Sequence, residues 1–182
     1  LSIIMTIFIQ TFRYGAEPFF FAQASSKDSK SMYAPIMKFF VIICTVVFLA
    51  TMMNLSWIQY FVGDKFRVGL EVVPILLMAN LFMGIYYNLS IWYKLSNKTR
   101  FGAYLTIFGA AITLVGNFAF IPSFGYMASA WTTLICYISM VLASFFLGNK
   151  HYPVNYDVRG IFGYLSLSVF LFLGVEFLAR SF

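Results

Sequence analysis

Six long apolar stretches restrict the folds that this chain can adopt. They are residues 1 to 24, 36 to 57, 72 to 93, 103 to 121, 125 to 147 and 160 to 179. A helix needs roughly 20 apolar residues to cross a bilayer. The stretches lack the alternation of barrel strands, and a helix satisfies its own backbone hydrogen bonds in lipid. The sequence therefore predicts an all-α integral membrane protein with six transmembrane helices, forming one domain over residues 1 to 182.

The composition agrees with a membrane protein and argues against an enzyme. Hydrophobic residues make up 62% of the 182 residues and charged residues 10%, too little charge for a soluble domain of this size. The two cysteines and the single histidine lack the spacing of a disulfide framework or a metal site. The sequence has no glycine-rich phosphate loop and no catalytic triad spacing. We therefore expect no enzymatic activity, no metal and no cofactor.

Basic residues are concentrated in the connections that follow the first, third and fifth stretches. With the adjoining Lys38, these connections hold Lys27, Lys30, Lys38, Lys94, Lys98, Arg100, Lys150 and Arg159. The positive-inside rule places these connections in the cytoplasm, and strict alternation of six spans gives the same grouping. The net charge of +6 is then explained by cytoplasmic loops, and we expect no nucleic-acid partner.

Two connections on the opposite side carry separate predictions. The sequence "IPSFG" at residues 121 to 125 is typical of a tight turn between adjacent antiparallel helices. The sequence "YFVGDKFRVGLEVVP" at residues 60 to 74 mixes apolar and charged residues, which indicates a short helix at the membrane interface.

Arg13 and Glu17 interrupt the first apolar stretch. At about 100° per residue, five polar side chains fall within an arc of roughly 80°. They are Ser2, Thr6, Gln10, Arg13 and Glu17. Arg13 lies roughly 13 Å from the cytoplasmic end of its helix, close to the middle of a hydrocarbon core about 30 Å thick. A charge at that depth must face a bundle interior or a hydrated cavity.

We therefore predict a substrate-binding cavity lined by Thr6, Gln10, Arg13 and Glu17. The alternative is an Arg13–Glu17 ion pair that only neutralises itself. Pro18 removes a backbone N–H and clashes with the carbonyl of the preceding turn, so we expect a bend just beyond Glu17. Gly15 would ease that bend, which makes Gly15 and Pro18 a candidate hinge.

Three further spans carry faces of polar or small residues. On the third span Asn80, Gly84, Tyr87 and Asn88 share a face, and Asn80, Tyr87 and Asn88 are secondary candidates for the cavity. Asparagines in a membrane commonly bond a neighbouring helix instead. The fourth span aligns Thr106, Gly109, Thr113, Gly116 and Asn117, and the fifth aligns Ala128, Thr132, Cys136, Ser139 and Ala143. Stripes of this kind predict close helix packing.

Several phrases of the sequence together resemble a known family. They are "FRYGAEPFFFAQAS", "YFVGDKFRVGLEVVPILLMANLFMGIYYNLSIWYKLSNKTRFGA", "NFAFIPSFGYMASAWTTLICY" and "LGNKHYPVNYD". They resemble Wzx-type polysaccharide and O-antigen flippases of the multidrug/oligosaccharidyl-lipid/polysaccharide exporter superfamily. The resemblance implies a protein of twelve to fourteen helices in two lobes around a central cavity. By order, this chain looks like helices eight to thirteen, and we expect it to be the C-terminal part of a longer protein.

The resemblance also implies a function. Such a protein would sit in the bacterial inner membrane and export polyprenyl-pyrophosphate-linked oligosaccharide for surface polysaccharide by alternating access. A coupling cation or the membrane potential would drive it. Related flippases line their cavity with arginines, and Arg13 matches such a role. Two alternatives stay open: a cation-coupled drug or metabolite exporter of the same superfamily, and a membrane glycan polymerase or ligase. The latter would need a large outer loop, and the outer connections here are short.

Overall fold

The computed structural model describes residues 2 to 24 and 29 to 181. Lys27, one of the basic loop residues, lies outside them. Within the described residues there are helices and no strands, so the predicted all-α fold is confirmed. The α-helices are α1 (Ser2–Gln23), α2 (Ser29–Met53), α3 (Leu55–Ile58), α4 (Val73–Leu89), α5 (Ile91–Leu95), α6 (Arg100–Phe124), α7 (Tyr126–His151) and α8 (Val158–Ser181).

Among the described residues, four helical segments are long and apolar enough to cross a membrane. They are Lys30–Met53, Arg67–Leu95, Arg100–Phe124 and Tyr126–His151. The prediction of six spans is higher than this number for two reasons. Although α1 is 22 residues long, Gln10, Arg13 and Glu17 lower its mean hydropathy. In α8, which is 24 residues long, the side chains are described only as far as Gly174, so the comparison there covers the apolar segment Val158–Gly174. The helices are still those of a multi-pass membrane protein.

The third predicted span and the connection before it differ in detail from the expectation. Residues 72 to 93 are divided at Ser90 into α4 and α5. The connection at residues 60 to 74 is helical, but its two helical segments, Gln59–Phe61 and Asp64–Val72, are of the 3-10 type. Glycine and β-branched valine are poor formers of an isolated α-helix, and both occur in this segment.

The long helices pack against one another, and α1 contacts α4, α2 and the short helix α5. Helix α6 contacts α7, α7 contacts α4, and α4 contacts both α1 and α2, while α8 packs on α2. The largest buried cluster joins α1, α2 and α4 through fully buried side chains that include Ile9, Phe40 and Leu77. The contact between α1 and α4 is the one that holds the polar residues of α1.

Helices α6 and α7 form the predicted hairpin. Gly125 alone separates them, with a φ of 59° that favours glycine. Gly109 packs against Cys136 and Met140, and Gly116 packs against Thr132. The partners run in opposite directions along the two helices, so the helices are antiparallel. The antiparallel hairpin and the close packing at the two glycines are confirmed, although Thr106 is exposed. The predicted turn is shorter than expected, because Pro122 lies inside α6 and the helix continues to Phe124.

Asp157, in the connection between α7 and α8, makes hydrogen bonds to α2 and to the first turn of α8. Its Oδ2 accepts a hydrogen bond of 2.7 Å from Nζ of Lys38 on α2. Its Oδ1 accepts one of 2.9 Å from the backbone N–H of Gly160 in the first turn of α8, which is the role of a helix N-cap. The Lys38 ammonium and this N–H hold the pKa of Asp157 below its ordinary value of 3.8.

We expect Asp157→Asn to lower the thermal midpoint of the detergent-solubilised protein at pH 7 by a small amount, because the two side chains of the pair are 39% and 45% exposed. The amide keeps the cap on Gly160 but loses the charge that pairs with Lys38. Because the pKa is lowered by folding, the stabilisation is present above pH 3.8 and is lost as the pH falls through the lowered pKa. The difference between wild type and variant should therefore disappear in acid, and a difference that does not change with pH would contradict the charge pair.

Candidate functional site

The polar stripe of α1 lies along the edge of its contact with α4. The buried face of α1 passes through Met5, Ile9 and Phe20. Each candidate residue, Thr6, Gln10, Arg13 or Glu17, directly follows a residue that packs against the buried clusters, and each is half-buried. The opposite side of α1 is apolar and exposed, for example at Ile7 and Tyr14. The stripe therefore borders a cleft between the two helices.

The candidate face of α4 meets α1 at this cleft. The ring of Tyr87 lies 4.8 Å from Cζ of Arg13, in the geometry of a cation–π contact. Asn80 Nδ2 donates a hydrogen bond of 3.2 Å to the carbonyl of Ser2. Asn88 Nδ2 donates one of 3.1 Å to the carbonyl of Gly84, within its own helix. The expected interhelical bond is thus made by Asn80 but not by the amide nitrogen of Asn88.

The cleft is narrow in this structure. Arg13, Glu17, Tyr87 and Asn88 line it together with apolar side chains, and its volume is about 10 Å³. That is room for about one water molecule. The structure therefore brings four of the predicted residues together without an open cavity between them.

Glu17 is bound by a lysine that the sequence predicts only as part of a basic loop. Lys94 Nζ, in the last turn of α5, donates a hydrogen bond of 2.6 Å to Oε1 of Glu17. Nε of Arg13 lies 4.0 Å from the same oxygen. One carboxylate thus serves two cations, so Glu17 does not simply neutralise Arg13. The three side chains are 27% to 32% exposed, which leaves them within reach of a ligand.

The Arg13 guanidinium keeps unused hydrogen-bond donors. It lies against the rings of Tyr14 and Tyr87 and makes no hydrogen bond to another described residue. A guanidinium carries five N–H donors in a planar fork. One turn away, Oε1 of Gln10 is buried without a hydrogen-bond partner among the described residues. The site is therefore positively charged and has polar atoms left to satisfy.

The remaining predicted residues have simpler surroundings. The hydroxyl of Thr6 donates to the carbonyl of Ser2 in its own helix at 3.2 Å. Pro18 lies inside α1, which continues without interruption to Gln23. Gly15 faces open space. The hinge at Gly15 and Pro18 stays a prediction. Among the described residues, no group of three His, Cys, Asp or Glu side chains could hold a metal ion.

A larger groove lies elsewhere, between α6 and α7. Its volume is about 900 Å³, and its lining is almost entirely apolar, with Val115, Phe120 and Trp131 among the residues. It contains no charged side chain among the described residues that line it. Such a surface suits hydrocarbon chains rather than a polar ligand. The charged cleft is therefore the better candidate for a functional site.

No protein-family model, curated protein or solved structure matches this chain, so the interpretation of the cleft depends on its own geometry and chemistry.

Proposed function

We propose that the chain belongs to a bacterial inner-membrane transporter that flips polyprenyl-pyrophosphate-linked oligosaccharide for surface polysaccharide by alternating access. The observation that carries the proposal is the charge in the α1–α4 cleft. Arg13 and Lys94 share one carboxylate, Glu17, between helices that are otherwise largely apolar. The excess positive charge calls for an anionic ligand.

A pyrophosphate has the charge and shape that suit this cleft. A guanidinium stays charged at every physiological pH and binds phosphate oxygens through two parallel hydrogen bonds. The sugars need a polar path, and the half-buried stripe of α1 supplies polar side chains on one side of it. The polyprenyl tail can stay in the bilayer beside the exposed apolar surfaces of the bundle. On this proposal the narrow cleft belongs to a state without cargo. The cleft opens in another step of the transport cycle.

The membrane potential supplies a driving force on this proposal. Moving one elementary charge across 100 mV is worth about 2.3 kcal/mol. Reorientation of a site with an excess cation, or movement of a coupling cation with the cargo, would both use this field.

A cation-coupled exporter of drugs or metabolites is the second candidate. The observation that favours it is the half-buried carboxylate of Glu17, which is the kind of group that exchanges a proton or cation during transport. This candidate makes Glu17, rather than Arg13, the essential charge. It also predicts that polysaccharide synthesis does not need the protein.

Deletion of the chromosomal gene tests the proposed function. We expect loss of surface polysaccharide and accumulation of lipid-linked repeat units on the cytoplasmic side, because the units are made but not flipped. Immunoblots of surface polysaccharide and mass spectrometry of extracted lipid-linked sugars measure the two effects. Normal polysaccharide with increased sensitivity to toxic compounds would instead support the exporter.

A further inference from the structure

Glu17 occupies the point where two cations from different helices converge. Its Oε1 is 2.6 Å from Nζ of Lys94 and 4.0 Å from Nε of Arg13. We propose that Lys94 completes the anion site and that the Glu17 carboxylate is a resident ligand that the diphosphate of the cargo displaces. This inference depends on the function proposed above and identifies two of the groups that set its specificity.

The donors that remain on both cations support the inference. The ammonium of Lys94 can donate three hydrogen bonds, and its described hydrogen bond is the one to Glu17. Arg13 makes none to a described residue. One carboxylate oxygen therefore leaves most of the donors of the two cations unused. A diphosphate offers oxygens on two phosphorus atoms and can accept from both side chains at once.

The Lys94–Glu17 ion pair contributes little to the stability of the helix packing. Lys94 and Glu17 are 27% and 32% exposed, and ion pairs with this much access to solvent contribute little to stability. The contact of α1 with α4 depends instead on the buried residues Met5 and Ile9. A carboxylate at this point does reduce the repulsion between two neighbouring cations while no cargo is bound.

Because a ligand has to displace Glu17, the site prefers ligands that carry more than one negative charge. A ligand with one negative charge, such as another carboxylate or a singly charged phosphate ester, gains nothing over Glu17, which is already tethered in place. A ligand with two or more charges at adjacent phosphorus atoms can replace Glu17 and engage both cations. The site thereby selects diphosphates against singly charged anions.

Replacing Glu17 and replacing Lys94 should have opposite effects on the affinity for pyrophosphate. We expect Glu17→Gln to bind inorganic pyrophosphate about tenfold tighter, because the competing charge is removed at nearly constant shape. We expect Lys94→Gln to bind it about tenfold weaker, the loss typical of one charge-assisted hydrogen bond, and Lys94→Arg to restore binding. Isothermal titration calorimetry on the purified protein in nanodiscs measures these changes, with acetate as the singly charged comparison ligand.

Lys150→Gln is the matched control, because Lys150 is an exposed cation in the last turn of α7 and is not among the residues that line the cleft. It should leave pyrophosphate binding unchanged. A merely structural ion pair would give effects of the same sign in Glu17→Gln and Lys94→Gln, together with equal losses of thermal midpoint, and would overturn the inference.

The outcomes separate this inference from the proposed function. Suppose that Arg13→Ala weakens pyrophosphate binding while Glu17→Gln and Lys94→Gln leave it unchanged. The roles given to Glu17 and Lys94 are then wrong, and the proposed function stands. If the opposite effects appear but deletion of the gene leaves surface polysaccharide normal, the anion site stands and the proposed function is wrong. Absence of pyrophosphate binding in wild type and Glu17→Gln alike would contradict both.

Discussion

Replacing Arg13 with alanine should abolish surface polysaccharide while the amount of protein in the membrane stays normal. Arg13 is the one cleft cation whose guanidinium makes no hydrogen bond to another described residue, so its donors are free for a ligand. Losing two charge-assisted hydrogen bonds to a phosphate corresponds to a fall in affinity of about 100-fold or more. Immunoblots of the polysaccharide and of the tagged protein from the chromosomal variant measure both quantities.

Two companion variants sharpen that result. Arg13→Lys keeps the charge but replaces the planar fork with a point charge, so we expect an intermediate loss. Ile7→Ala removes an apolar side chain on the opposite side of α1 that is 60% exposed, and it should leave polysaccharide normal. If Arg13→Ala itself gives normal polysaccharide, the ligand role assigned to this arginine is wrong.

Gly84→Ile should prevent normal packing of α1, α2 and α4. Any Cβ at Gly84 would collide with the ring of Phe40 and come within 3.3 Å of Cγ1 of Ile9. Phe40 is fully buried among other core side chains, so its ring cannot move out into solvent to make room. Inserting extra methylene groups into a packed core costs about 1–3 kcal/mol, and a whole isoleucine side chain here should reach or exceed the upper value. Thermal midpoints of the solubilised protein measure the loss.

Gly15→Ile provides the control for that variant. Both glycines lie in long helices, but a Cβ at Gly15 would meet no atom within 4 Å. We expect Gly15→Ile to keep a near-normal midpoint, because its side chain points into open space. Phe40→Leu combined with Gly84→Ile should recover part of the loss by removing ring atoms. Equal midpoints for the two single isoleucine variants would contradict the close approach at Gly84.

Much of the helical framework was predictable from local sequence. Apolar runs of membrane length fix helices because lipid leaves few other ways to pair the backbone. The face of Asn80, Gly84 and Asn88 follows from helical periodicity, and this face does contact α1. The turn between α6 and α7 was also visible from the glycine at 125, although Pro122 lies inside α6 rather than in the turn.

The central feature of the cleft could not be predicted from periodicity. Glu17 and Lys94 are 77 positions apart, and their contact depends on how α5 folds back beside α1. Helical periodicity also placed the polar residues of α1 on one face. It did not show that each of them directly follows a buried residue and therefore lies at the edge of the contact between α1 and α4. The signal for Lys94 was its position at the end of an apolar span, where a lysine can extend along the helix toward a buried charge.

The one-residue connection at Gly125 has a consequence for biosynthesis. No spare chain separates α6 from α7, so neither helix can reverse its direction across the bilayer by itself while the other stays in place. Arg100 begins α6 and Lys150 lies in the last turn of α7, which puts both basic ends on the same side of the hairpin. Since the two helices can invert only together, inversion would move both Arg100 and Lys150 across the bilayer. We therefore expect the two helices to enter the bilayer as a pair and to take their orientation together.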